Sequence, residues 1–186
     1  MKFVATELPG VVIVIPEIFT DARGFLFEAY HQQKFRDAGI TAHFVQDTHS
    51  RSTFGVIRGL HAQRGHPQAK LVRVLHGAIF DVAVDIRKDS PTFRRWVSVE
   101  LSAENRRMCF IPEGYAHGFC VISDHAEVEY KTSDLYRPQE EIRIAWNDPA
   151  IGIRWPVPDP VLSEKDAIAP RLDEVIDLLP GGRHAR

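Results

Sequence analysis

The sequence has few of the features that mark specialised classes of protein. Only two cysteines occur in 186 residues, and both lie in apolar stretches, which argues against a disulfide framework and favours buried free thiols. No apolar run is long enough to span a bilayer, and the N-terminal segment MKFVATELPG has no signal-peptide apolar region. The net charge of −2 argues against a nucleic-acid binder, which is normally basic. We therefore expect a cytoplasmic globular protein with neither nucleic acid nor membrane as a partner.

The pattern of apolar residues indicates a mainly β protein in a single domain, residues 1–186. Short runs that alternate apolar and other residues are separated by turns, which favours a β-barrel or jelly roll. We predict a hairpin over Lys70–Arg87 that turns at His76-Gly77, where alternation places Asp81 and Asp85 on one face. The other predicted strands are Val11–Ile15, Phe25–Tyr30, a strand beginning at Phe44–Gln46, Trp96–Leu101, Arg107–Ile111, Gly118–Ser123 and Ala126–Lys131.

Helices are expected only at the periphery. Gln32–Ala38 resembles one short helix that Gly39 ends. A helical tail is expected at about residues 164–180, where Leu172, Val175, Ile176 and Leu179 fall at helical spacing and Gly181 follows as a stop.

The segment from Gly55 to Lys70 carries the most chemical information. Residues two apart on a strand share a face, so His61 and Gln63 point the same way. Many small β-barrels place a pair of metal-binding histidines in this arrangement. Here Gln63 replaces the second histidine and Lys70 replaces the expected carboxylate, and an ammonium group repels a divalent cation. We therefore expect no metal, and a neutral imidazole beside an ammonium suits removal of a proton from carbon and stabilisation of the resulting enolate.

Ten segments then match one family, in order and at the expected spacing. They are DARGFLFE at 21–28, FVQDTHS at 44–50, VIRGLH at 56–61, AKLVR at 69–73, FDVAVDIR at 80–87, SPTF at 90–93, LSAEN at 101–105, IPEGYAHGF at 111–119, WNDP at 146–149 and LSEKD at 162–166. With these segments the chain resembles the dTDP-4-dehydrorhamnose 3,5-epimerases. The resemblance implies a metal-free cupin fold, no cofactor, and epimerisation of a dTDP-linked 4-keto-6-deoxy sugar.

The resemblance also implies roles for individual residues. His61 aligns with the general base and Asp166 with its partner carboxylate. Lys70 aligns with the lysine near the sugar C4 oxygen, and Tyr130 with the group that returns a proton from the opposite face. The substrate-binding positions implied are Arg23, Glu28, Gln46, Asp47, Thr48, Arg58, His117, Tyr136, Glu141 and Lys165.

The family's active sites lie near a dimer interface of exchanged N-terminal strands. The resemblance therefore implies a homodimer in which Arg23 and Glu28 serve the partner's pocket. Several positions have a structural alternative: Asp47 as a hydrogen-bonding residue, Tyr130 and Tyr136 as barrel aromatics, and Asp81 and Asp85 as structural ion-pairing residues.

Other functions stay open at this point. One alternative is an epimerase that inverts only C3 or only C5, because Thr48 and Ala62 replace the asparagine and the aromatic residue common in the family. A second is a non-catalytic cupin that binds a sugar nucleotide. A metal-dependent cupin oxygenase is weaker, since His61 and His117 alone are an incomplete set of ligands.

Overall fold

The computed structural model describes residues 1–180, and the predicted stop at Gly181 lies outside this range. The described chain forms thirteen strands: β1 (Lys2–Ala5), β2 (Val12–Ile15), β3 (Phe19–Asp21), β4 (Gly24–Leu26), β5 (Gln46–Thr53), β6 (Ile57–Gln63), β7 (Lys70–His76), β8 (Ala78–Asp85), β9 (Trp96–Ser102), β10 (Met108–Ile111), β11 (Tyr115–Val121), β12 (His125–Thr132) and β13 (Glu141–Arg143). Its helices are α1 (Gln32–Asp37), α2 (Glu164–Ala167) and two 3-10 helices at Pro138–Glu140 and Leu172–Leu178. Within residues 1–180, no helix is long and apolar enough to cross a membrane.

Eleven strands form two antiparallel sheets that face each other, so the predicted jelly-roll β-barrel is confirmed. The spatial order is β1-β2-β10-β7-β12-β5 in one sheet and β13-β6-β11-β8-β9 in the other. The core between the sheets includes Val72 and Val128 from the six-stranded sheet and Leu101 and Phe119 from the five-stranded sheet. The inner faces of both sheets pack against each other there. The two sheets are therefore held together by apolar side-chain contacts rather than by one continuous ring of hydrogen-bonded strands.

The outer face of each sheet is also covered. Phe35 of α1 packs with Leu71 and Met108 on the outside of the six-stranded sheet. The helix α1 ends as predicted: Gly39 follows the cap with a φ of +83°, which a glycine adopts without steric cost.

The C-terminal segment covers the outside of the five-stranded sheet, where Leu172 and Val175 pack against Val82 and Val84. This segment is a 3-10 helix, in which residues three apart share a face, and the two buried side chains follow that spacing. The apolar face of β8 therefore points outward under the C-terminal segment, while its aspartates point into the barrel.

The predicted hairpin over Lys70–Arg87 is wrong in its pairing. A turn does occur at Gly77, but β7 pairs with β10 and β12, whereas β8 pairs with β11 and β9. The turn thus carries the chain from one sheet to the other. Both strands are largely buried on both faces, so the local pattern gave no sign that their partners are distant in sequence.

The N-terminal strand predictions are only partly right. The strand predicted at Phe25–Tyr30 ends at Leu26, and it pairs with β3 in a separate hairpin whose turn contains Arg23. Phe25 and Leu26 in this hairpin are 57% and 73% exposed. Strand β2, in contrast, is paired on both sides within its own sheet, by β1 and β10.

Gly77 offers a test of the crossover between the sheets. Gly77→Ala is expected to cost about 3 kcal/mol, because its φ is +74° and an added Cβ would lie 2.0 Å from the carbonyl oxygen of His125. Gly39→Ala is the matched control: its φ is similar, but no atom lies within 4 Å, so the cost is about 1–2 kcal/mol. Urea unfolding followed by tryptophan fluorescence measures both losses. Equal losses would show that the close approach at Gly77 does not constrain the crossover.

Candidate active site

One end of the barrel interior is a cavity of about 770 Å³ with many polar side chains in its lining, which we call the pocket. The strands that bury apolar residues deeper in the barrel also supply the polar lining: on β7 Val72 lies in the core and Lys70 in the pocket. On β12, likewise, Val128 lies in the core and Tyr130 in the pocket. The alternation of a strand therefore fixes which residues face inward, and position along the strand decides between core and pocket.

His61 and Asp166 form a hydrogen-bonded pair in the pocket. His61 Nε2 lies 2.6 Å from Asp166 Oδ1, although the residues are 105 positions apart. Asp166 is placed by α2, whose N-cap Ser163 accepts a hydrogen bond from the Asp166 backbone N–H. Burial raises the pKa of the Asp166 carboxyl, but the His61 hydrogen bond and nearby positive charge outweigh burial, so the net pKa is lowered. An ionised aspartate can therefore orient the imidazole and stabilise its protonated form.

Lys70 lies beside this pair, and it is almost fully buried. Its Nζ is 3.5 Å from the carbonyl oxygen of His61. Burial lowers the pKa of the Lys70 ammonium to about 8, and the negative charge of Asp81 offsets part of that effect. At neutral pH Lys70 therefore still carries its positive charge and can stabilise a developing oxyanion.

A second imidazole–carboxylate pair lies deeper in the barrel. His117 Nε2 is 2.7 Å from Asp81 Oδ1, and both side chains are buried. Burial lowers the pKa of His117, with Asp81 opposing the shift. The remaining oxygen of Asp81, Oδ2, is buried and has no hydrogen-bond partner in the described chain. The pair with His117 agrees with the structural ion-pairing role expected for Asp81.

Tyr130 lies on the opposite wall from His61. It belongs to β12 in the six-stranded sheet, whereas His61 belongs to β6 in the five-stranded sheet. The Tyr130 ring is half-buried and packs edge-on toward the His117 ring at a centroid distance of 6.4 Å. The pocket thus has hydrogen-bonding groups on two facing walls.

The outer part of the pocket is lined by further predicted residues. Gln46 accepts a hydrogen bond from the Tyr136 backbone N–H at 2.9 Å, and Arg58 Nε donates to Ser52 at 2.9 Å. The predicted residues that line the pocket here are Gln46, Thr48, Arg58, Tyr136, Glu141 and Lys165, and the deeper His117 lines it as well. Ser50 and Arg143 also line the pocket and had no predicted role.

Three predicted site residues lie outside this chain's pocket. Arg23 is bonded to Asp21 in the exposed β3–β4 hairpin, and Glu28 pairs with Lys34. Asp47 points to the outer face of β5 and pairs with Lys131 at 2.9 Å. Asp85 also lies outside the pocket, since it accepts hydrogen bonds from Arg87, Ser90 and Thr92. The expected structural role of Asp85 is thereby confirmed.

Gln63, which stands where a second metal-binding histidine would be, is engaged in hydrogen bonds to the main chain. Its partners are peptide groups of His66, Leu135 and Arg137. Across residues 1–180, no group of three or more His, Cys, Asp or Glu side chains could hold a metal ion. The donor set of the pocket suits proton transfer and anion binding.

Known proteins match this chain along nearly its full length. Residues 5–174 match the sequence model of the dTDP-4-dehydrorhamnose 3,5-epimerase family. The dTDP-4-dehydrorhamnose 3,5-epimerase of Shigella flexneri is 55% identical over 168 residues, which are 89% of this chain and 93% of that protein. Its Salmonella typhimurium counterpart is 54% identical over 179 residues, 95% of this chain and 98% of that protein.

The fold has a similarly close match among solved structures. A dTDP-6-deoxy-D-glucose-3,5-epimerase from Legionella pneumophila, in complex with dTDP-4-keto-L-rhamnose, has a TM-score of 0.95 to this chain. The two are 46% identical, and the match covers 98% of this chain and 99% of that one.

The buried charge of Lys70 makes stability depend on pH. Between pH 8 and 10.5 the unfolded chain keeps this proton while the folded chain loses it, so folding is favoured as the pH rises. Lys70→Met removes this dependence. We expect the unfolding free energy of the wild type, relative to Lys70→Met, to rise by about 3 kcal/mol across this range. Urea unfolding at matched protein concentration measures it.

Lys131→Met is the control for that experiment, because Lys131 lies on the outer face of neighbouring β12 and pairs with Asp47. It should leave the pH dependence of the wild type unchanged. A constant difference between wild type and Lys70→Met from pH 7 to 10.5 would contradict a buried, charged Lys70.

Proposed function

We infer that this chain, which belongs to the dTDP-4-dehydrorhamnose 3,5-epimerase family, inverts C3 and C5 of dTDP-4-dehydro-6-deoxy-D-glucose. The product is dTDP-4-dehydro-L-rhamnose, a precursor of dTDP-L-rhamnose. The enzyme is an isomerase, and the reaction needs no net oxidation because each inverted carbon loses and regains one proton.

The observation that carries this proposal is the placement of His61 and Tyr130 on facing sheets across one pocket. A single base that returned its proton to the same face would regenerate the substrate. Inversion therefore requires a second proton donor on the other face, and the two-walled barrel supplies one.

His61 acts as the base that removes the proton next to the C4 ketone. Its hydrogen bond to Asp166 orients the imidazole and stabilises the imidazolium that forms. The ammonium of Lys70 stabilises the enolate oxygen, a charge that develops only as the proton leaves. Tyr130 then returns a proton from the opposite side.

The rest of the pocket suits an anionic sugar nucleotide. Arg58 and Lys165 offer positive charge to the diphosphate, and the guanidinium of Arg58 can bind phosphate oxygens in a bidentate manner. Tyr136 presents an aromatic side chain, 48% exposed, on which a nucleobase can stack. Gln46, Thr48 and Glu141 add hydrogen-bonding groups.

Two variants separate the two proton transfers. His61→Ala is expected to lower turnover by about 10²–10⁴-fold or more and to abolish deuterium incorporation at C3 and C5 in D₂O. Tyr130→Phe keeps the ring but removes the hydroxyl, so deuterium should still enter while net inversion falls steeply. NMR of dTDP-4-dehydro-6-deoxy-D-glucose in D₂O reads both outcomes.

Tyr30→Phe is the matched control, because Tyr30 packs against Phe35 and Phe44 away from the pocket. It should invert the sugar at the wild-type rate. If Tyr130→Phe does so as well, the tyrosine is not the required acid. Deuterium entry in His61→Ala at the wild-type rate would eliminate His61 as the base.

A homodimer with shared sites completes the proposal. The β3–β4 hairpin exposes Phe19, Phe25 and Leu26, and it holds Arg23 outside this chain's own pocket. Strand β5, which lines the pocket, is an edge strand of the six-stranded sheet within residues 1–180. If the β3–β4 hairpin of one chain packed against β5 of a second copy, its exposed apolar side chains and the β5 edge of that copy would both be covered. The buried free thiols of Cys109 and Cys120 support a cytoplasmic location.

Mixed dimers test the shared site. Arg23→Ala and His61→Ala should each be strongly impaired, and light scattering should find dimers of both. If Arg23 serves the partner's pocket, dissociating and reassociating an equal mixture should restore about a quarter of the wild-type activity, because each mixed dimer has one intact site. No recovery, or a fully active monomer, would contradict the shared site.

A further inference from the structure

Arg143 occupies a position that neither the sequence nor the proposed mechanism assigns. It ends β13, and the β13–β6 ladder makes it the direct cross-strand partner of His61. Side chains of directly opposed residues in an antiparallel pair project from the same face, about 4.5–5.5 Å apart at Cβ. The Arg143 guanidinium therefore belongs to the same wall of the pocket as the imidazole of His61, and both line the pocket.

One neighbour holds the guanidinium in place, and a second lies within reach of its charge. Glu141, two residues earlier on the same strand face, forms an ion pair with Arg143. The two side chains are 29% and 11% exposed, so solvent screens this pair only partly. Burial raises the pKa of the Asp166 carboxyl and is the largest single influence on it. The contacts with His61 and Ser163 lower this pKa, and the positive charge of nearby Arg143 lowers it further.

We propose that Arg143 is a positioning residue for the His61–Asp166 pair, fixed by Glu141 so that its charge keeps Asp166 ionised and available to accept the hydrogen bond from the imidazole. This inference rests on the proposed function, in which His61 is the base. An added proton on the pair would remove the base, so a fixed cation beside it extends the active range toward lower pH.

Several other charged or titratable groups line the pocket around the pair or, as Asp81 does, contact a group that lines it, and they set the background field. They are Arg58 of β6, Lys70 of β7, Asp81 of β8, His117 of β11, Tyr130 of β12, Glu141 of β13 and Lys165 of α2. The cations among these groups are Arg58, Lys70 and Lys165. In the described chain none of these three lies directly opposite His61 on a paired strand, whereas Arg143 does.

Variants of opposite charge change test the proposal through the acid limb of the kcat/KM profile. Arg143→Gln removes a cation, so protonation of the pair becomes easier and the limb should move to higher pH by roughly 0.5–1 unit. Glu141→Gln removes an anion and should move the limb to lower pH, whatever it does to substrate affinity. Arg143→Lys keeps the charge and should restore most of the wild-type position.

Arg51→Gln is the control of equal net charge change. Arg51 lies on the outer face of β5 with its side chain 67% exposed, and it contacts Glu127 rather than the pocket. Its loss should leave the acid limb unmoved. Titration of the Asp166 carboxyl by ¹³C NMR in the substrate-free enzyme gives a second readout, in which Arg143→Gln should raise the titration midpoint.

The outcomes separate the two levels of inference. If the wild type does not invert the dTDP sugar, the proposed function fails, and the positioning role fails with it. If the wild type is active but neither the acid limb nor the Asp166 titration moves in Arg143→Gln, the Arg143 proposal alone is overturned. An equal shift in Arg51→Gln would also overturn it, since the effect would then follow net charge rather than position.

Discussion

A charged group inside a β-barrel has to be paired, and this constraint organises the whole polar end of the molecule. His61 is bonded to Asp166, His117 to Asp81, and Arg143 to Glu141. Within residues 1–180 Lys70 has no ion pair and is compensated by the charge of Asp81 without direct contact, so burial lowers its pKa. The pocket is therefore not a gap left by poor packing but a set of charged groups, and each paired group has its partner on the same strand, a neighbouring strand or α2.

The same constraint explains why the two sheets divide the chemistry. The five-stranded sheet and α2 carry the two imidazole–carboxylate pairs, while the six-stranded sheet carries Lys70 and Tyr130. Packing of the apolar core sets the spacing between the sheets, so His61 and Tyr130, the groups proposed to remove and return a proton, are held apart by the same contacts that make the barrel stable. Preorganisation at the site is a consequence of the core rather than an addition to it.

The sequence predicted much of this arrangement where short-range rules apply. Alternation located most of the strands but not β1, β3 or β13, and the end of α1 followed from Gly39. The pairing of β7 and β8 could not be predicted, because a strand buried on both faces shows no preference for a neighbour. Arg143 was missed for a related reason: its proposed role depends on its register with His61 on another strand, and that register is set by the three-dimensional fold.

The position of Asp166 in the chain has a consequence for biosynthesis. All thirteen strands precede it in the described sequence, so a ribosome produces the whole barrel before α2 emerges. Until then His61 has no carboxylate, and the outer face of the five-stranded sheet is still without Leu172 and Val175. A nascent or prematurely released chain would hold the strands of the barrel without the carboxylate that pairs with His61, so the proposed proton transfer could begin only after α2 had been synthesised.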